Sequence, residues 1–149
     1  MKKHWKIIGS VAIVVSLLII LLVLLQTGNR SMGELLPESV DSIEYASLLL
    51  SPSAVQIEIS DRDTLNKMYE YLSKLQLKYQ GTGNSGLPGV VNQDFIHCDF
   101  YSSDNRQIFS AVFSPNGQVL CMEARYQIAD GVQAWNYLYG YFQQSTISD

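Results

Sequence analysis

Apolar positions along this chain fall into three regimes: residues 7–25 are predominantly apolar and carry no charge, several later stretches alternate apolar and polar, and two others repeat apolar residues every three or four positions. Alternation at period two marks a half-buried strand, and the three-four spacing marks one face of a helix. Val55, Ile57 and Ile59 alternate with Gln56 and Glu58, which predicts a strand, and the β-rich stretch 42–50 predicts its partner across the turn Ser51-Pro52-Ser53. Ser60-Asp-Arg-Asp63 has the form of a capping box with Ser60 as N-cap, and Leu65, Met68, Leu72, Leu75 and Tyr79 follow at helical offsets. The pattern predicts an amphipathic helix of about eighteen residues that stops at Gly81. Three further strands are expected over 94–102, 107–114 and 118–129, joined through Ser103-Asp104-Asn105 and Pro115-Asn116-Gly117. Asp130 is placed to cap a last helix that turns Val132, Trp135, Leu138, Tyr139 and Phe142 inward. The order ββαβββα predicts an α+β domain, with a mainly antiparallel five-stranded sheet covered on one face by two helices.

The apolar run changes where such a domain would sit. Fifteen of its nineteen residues are Ile, Leu or Val, and none is charged. As a helix it would rise about 28 Å, close to the hydrocarbon thickness of a bilayer. Lys2, Lys3 and Lys6 precede it with Trp5 between them, and only Arg30 follows closely. The positive-inside rule then gives a single-pass signal anchor with a cytoplasmic N-terminus and an extracytoplasmic domain. The expected organisation is a basic stub at 1–6, a transmembrane helix at 7–25, a linker at 26–39, the α+β domain at 40–143 and a polar tail at 144–149. A cleaved signal peptide, with Ser31-x-Gly33 as its site, is the competing reading. No cysteine follows the run to accept a lipid, and Leu36-Pro-Glu-Ser39 does not stand before an apolar C-terminal tail, where a sorting signal belongs, so it reads as linker.

With 149 residues, of which 47% are hydrophobic, the chain has room for one ordinary domain. From Ser31 onward six basic side chains stand against fourteen acidic ones, a balance of −8. That charge excludes nucleic acid as a partner bound by phosphate neutralisation. The strand Val55-Gln-Ile-Glu-Ile-Ser-Asp61 running into the helix 64–75, together with a Tyr-rich last helix, resembles small membrane-anchored or secreted proteins of Gram-positive bacteria belonging to uncharacterised families. The resemblance implies extracytoplasmic placement and brings no site residues with it.

Candidate chemistry is sparse. Gly81-Thr-Gly-Asn-Ser-Gly86 spells G-x-G-x-x-G, yet a dinucleotide site needs a strand before and a helix after, and the expected order here is reversed. A loop over 81–92 is the reading, and no nucleotide is expected. His97 and Asp99 at i and i+2 share a strand face, where they are spaced to act as a general-base pair if a neighbouring strand offers a serine. One such histidine without clustered cysteines falls short of a metal site, and Asp61-x-Asp63 lacks the further ligands of a calcium loop, so neither metal nor cofactor is expected. Cys98 and Cys121 lie on strands separated by a third in the expected meander and differ in the residues they alternate with, so free thiols are expected.

Nine tyrosines are many for this length. Tyr137 and Tyr141, at i and i+4 on the last helix, are expected to face outward as a contact patch for an envelope protein or a glycan. The leading expectation is a non-enzymatic binding, sensing or accessory module anchored in the bilayer through 7–25. A small hydrolase built on His97 and Asp99, and a structural subunit held through its membrane helix, are the alternatives. That helix offers only Ala12-x-x-x-Ser16 as a close-packing motif.

Overall fold

The computed structural model describes residues 15–18, 28–82 and 94–145. Eight strands, β1 (Asn29–Ser31), β2 (Tyr45–Ser51), β3 (Val55–Ile59), β4 (Gln76–Thr82), β5 (Phe95–Tyr101), β6 (Gln107–Phe113), β7 (Gln118–Cys121) and β8 (Ala124–Ile128), form one sheet. Their spatial order is β1-β4-β8-β7-β6-β5-β2-β3, and every neighbouring pair is antiparallel. Helix α1 (Arg62–Ser73) follows β3 and helix α2 (Gly131–Ser145) follows β8. Strand alternation decides which sheet face is covered. Ala46 and Leu48, Ile96, Cys98 and Phe100, Ala111 and Phe113, Val119 and Cys121, and Tyr126 and Ile128 are all buried, whereas the residues that alternate with them are half-buried or exposed, apart from the buried Ser47. The buried set joins Leu65, Met68 and Leu72 of α1 and Ala134, Leu138 and Phe142 of α2 in a single core.

The sheet has eight strands where five were expected, and each extra strand has an identifiable cause. Helix α1 ends at Ser73 because Lys74 and Leu75 donate to the carbonyls of Tyr71 and Leu72 and tighten the last turn. Leu77 and Tyr79 then alternate with Gln76, Lys78 and Gln80 as β4. Leu75 and Tyr79 satisfied a helical spacing and a strand spacing alike, and pairing with β8 decided between them. The expected strand 118–129 breaks at Met122 and Glu123, whose φ values of 50° and 63° make a tight turn, so β7 and β8 pair with each other. Strand β1 comes from the expected linker 26–39. Its Ser31 caps a short 3-10 helix (Met32–Glu34), Met32 donates to the Leu75 carbonyl at 2.8 Å, and Met32 and Leu36 are buried. Arg62 ties the following segment to α1 by donating to the Val40 and Ile43 carbonyls and pairing with Asp41.

Smaller corrections concern the helices. Asp61, not Ser60, is the N-cap of α1, accepting from the Thr64 amide at 2.9 Å. In α2 Ala134 faces inward while Val132 is exposed.

The expected transmembrane helix, and with it the single-pass signal anchor, the cytoplasmic N-terminus and the extracytoplasmic placement, is also corrected. Among the described residues no helix is long and apolar enough to cross a membrane. Of 7–25 only 15–18 is described, as one helical turn, and the rest of that segment lies outside the described residues. At 1.5 Å per residue α1 and α2 rise about 18 and 22 Å, short of the roughly 30 Å of a bilayer, and both carry a polar face. Most of the expected polar tail 144–149 and of the expected 81–92 loop likewise lies outside the described residues, apart from Gly81 and Thr82 in β4 and Gln144 and Ser145 in α2.

Helix α2 begins in backbone contact with the β6–β7 turn. A Cβ on Gly131 would stand 2.2 Å from the Gly117 Cα and 2.8 Å from its carbonyl oxygen. Gly117 has a φ of 81°, and its carbonyl accepts from the Ile128 amide at 2.9 Å. Gly131→Ala is therefore expected to cost about 1–3 kcal/mol in denaturant unfolding, because backbone on both sides must move. Glu123→Gly is expected to gain about 0.5–1 kcal/mol in the same measurement by relieving a left-handed conformation that side chains resist.

Candidate functional site

Helices α1 and α2 meet through a ring stack. Tyr71 and Tyr137 lie 3.8 Å apart between centroids at an interplanar angle of 16°. Beside this stack opens a groove of about 370 Å³ lined by Thr64, Lys67, Tyr137, Gly140, Tyr141 and Gln144. The four α2 residues are spaced i, i+3, i+4 and i+7, and Thr64, Lys67 and Tyr71 are spaced i, i+3 and i+7, so each helix contributes one continuous stripe.

The polar groups of the groove are defined by local bonding. The hydroxyls of Tyr137 and Tyr141 lie 3.0 Å apart in a hydrogen bond, with the rings edge to face at 5.6 Å. Burial, and then the bond to Tyr141, pushes the Tyr137 phenol above the usual tyrosine range, and burial does the same to Tyr71. Both are neutral at physiological pH. The tyrosine pair shares one proton between its oxygens, which leaves one hydroxyl proton and the remaining lone pairs for a ligand. Thr64 donates its hydroxyl to Asp61 at 2.6 Å, a bond that also holds the Asp61 carboxyl below the usual carboxylate range. Lys67 is exposed and forms no ion pair among the described residues, unlike Lys74, which bonds Glu70 at 2.6 Å. The groove thus presents phenol hydroxyls, an aromatic edge, an amide and a cation. These groups hydrogen-bond and stack, and the buried Tyr137 phenol holds its proton too tightly to serve as a base.

Tyr137 and Tyr141, expected to face outward, are half-buried, and they face each other across one wall of this groove. Sequence reasoning missed Thr64, Lys67, Gly140 and Gln144. The readable signal was the stripe 137, 140, 141 and 144 on the second face of α2, with a glycine in mid-helix.

His97 and Asp99 share the other sheet face. Cross-strand register sets His97 between Leu49 and Val112, and Asp99 between Ser47 and Ser110. Asp99 accepts from Gln107 Nε2 at 2.8 Å, and no hydrogen bond joins it to His97 among the described residues. The neighbouring Ser47 hydroxyl accepts from Gln56 at 3.0 Å. The spacing placed the two side chains together without coupling the carboxylate to the imidazole. No group of three His, Cys, Asp or Glu suited to a metal occurs among the described residues.

Cys98 and Cys121 are buried thiols without a disulfide. The two residues lie on the same face, because Cys98 is opposite Ala111 and Ala111 is opposite Cys121. This corrects the expected difference in facing, which the Met122–Glu123 turn removes. Two strand spacings, about 9–10 Å, keep them apart. Burial pushes the Cys121 thiol up to about 12 and raises Cys98 as well.

The chain matches no protein-family model, no curated protein and no solved structure. Functional assignment therefore rests on the geometry.

The raised thiols favour the neutral form in the fold, so their contribution is complete below about pH 9 and is lost as pH rises toward 12, where only the unfolded chain ionises readily. The melting temperature is expected to fall across that window. The fall should be shallower in Cys98→Ala/Cys121→Ala, read by calorimetry at half-unit pH steps.

Proposed function

We propose that this protein is a non-enzymatic binding module that holds a protein segment or glycan in the groove between α1 and α2. Gly140 carries the reading. In a helix interior glycine costs roughly 1 kcal/mol against alanine. Here a Cβ would meet nothing within 4 Å, so packing does not require the glycine. What its missing side chain does is keep the groove floor open beside Tyr137 and Tyr141, as a site needs where a ligand approaches backbone closely. The flanking phenols offer directional hydrogen bonds and flat contact area at low entropy cost, the features that concentrate binding energy in few residues.

The test compares two substitutions at one position on glycan and peptide arrays. Gly140→Ala should unfold at equal or higher denaturant and yet weaken binding, because its methyl enters the open space where the ligand approaches the backbone. Gly140→Trp, which fills the groove, should retain the fold and lose binding by more than about tenfold. Tyr141→Phe, which removes one hydroxyl, should weaken binding by about fivefold to tenfold, the effect of one hydrogen bond. Binding that survives Gly140→Trp unchanged would overturn the assignment.

A further inference from the structure

The described sheet is open and ends in two very different edges. Strand β1 is three residues long and carries Arg30, a short and charged edge of the kind that discourages further pairing. Strand β3 is five residues long and contains no proline, no basic residue and no break in its register with β2, from Ala46 opposite Ile59 to Leu50 opposite Val55. No strand pairs with its other side among the described residues. Val55 is 43% exposed on this edge, and Ile57 is half-buried.

We infer that β3 is a self-association edge, on which a second copy of this chain pairs antiparallel through a two-fold axis at Ile57. The sequence Val55-Gln-Ile-Glu-Ile59 is complementary to itself in that arrangement. Ile57 meets Ile57 of the second copy, Val55 meets Ile59, and Gln56 meets Glu58, so that an amide donor lies opposite each carboxylate. Apolar pairs then fall on the helix-covered face and polar pairs on the other. Neighbouring registers are worse. An axis at Glu58 sets two carboxylates directly opposite each other. An axis at Gln56 needs Ala54 in the ladder, and Ala54 turns out of it with a φ of 56°. The interface is the same patch on both copies, and the short β1 edge offers no continuation, so the assembly closes as a dimer rather than growing as a fibre. It uses none of the groove residues and stands apart from the binding function proposed above.

Cysteine cross-linking of the full chain separates this interface from association through the apolar segment 7–25. Under mild oxidation Ile57→Cys should form a covalent dimer at least about tenfold faster than Val55→Cys, because only position 57 faces itself across the axis. Random collision would favour the more exposed position 55 instead. The wild-type mass by sedimentation should be twice that of the monomer, and Ile57→Lys, with its circular dichroism spectrum retained, should halve it. A monomeric wild type, faster or equal cross-linking at position 55, or a dimer that persists in folded Ile57→Lys would each overturn the inference. If Ile57→Lys does not fold, the two cysteine variants decide the matter alone.

Discussion

Helix α2 starts where two glycines touch, and much of the molecule's layout follows from that contact. The approach of Gly131 to Gly117 leaves no room for a Cβ and fixes the helix N-terminus against the β6–β7 turn. From there 3.6 residues per turn carry Ala134, Leu138 and Phe142 down onto the sheet. The same rotation leaves Tyr137, Gly140, Tyr141 and Gln144 toward α1. A helix entering one residue later would rotate by about 100° and point that stripe elsewhere. The groove is thus a consequence of how closely backbone approaches backbone some distance from it.

The second determinant is the early stop of α1. Twelve residues bring Leu65, Met68 and Leu72 onto the core, and the chain then needs only Lys74 and Leu75 to turn back as β4. Strand β4 in turn receives β1 along one side and β8 along the other. Shortening the helix therefore supplies the strand that brings the segment before residue 40 into the fold. It also leaves Thr64, Lys67 and Tyr71 as the complete α1 contribution to the groove wall and its backing stack.

The two faces of the sheet hold chemistry of different kinds. On the covered face burial raises the Cys98 and Cys121 thiols and the Tyr126 phenol and so keeps them neutral. On the other face the polar side chains engage one another across strands, Gln107 with Asp99 and Gln56 with Ser47. In each case the strand neighbour, rather than the residue two positions along, decides what a side chain is doing.

Local pattern determined what short-range physics controls. The strand of Val55, Ile57 and Ile59, the helix of Leu65, Met68 and Leu72, the turns at Asn105 and Gly117 and the last helix all lie where periodicity and turn chemistry put them. Tyr137 and Tyr141 stood out in the sequence as well, though not the groove they line. Tertiary structure decided wherever two local readings fitted equally well. Leu75 and Tyr79 suit a helix or a strand, and only β8 alongside resolves them. Met122 and Glu123 carry no turn signal and are forced into left-handed backbone by the pairing of β7 with β8. Asn29 to Ser31 resemble a linker until β4 lies beside them. The reason is common to all three: strand pairing and helix packing are contacts between residues distant in sequence, and where they outweigh local preference the chain's own pattern cannot disclose them.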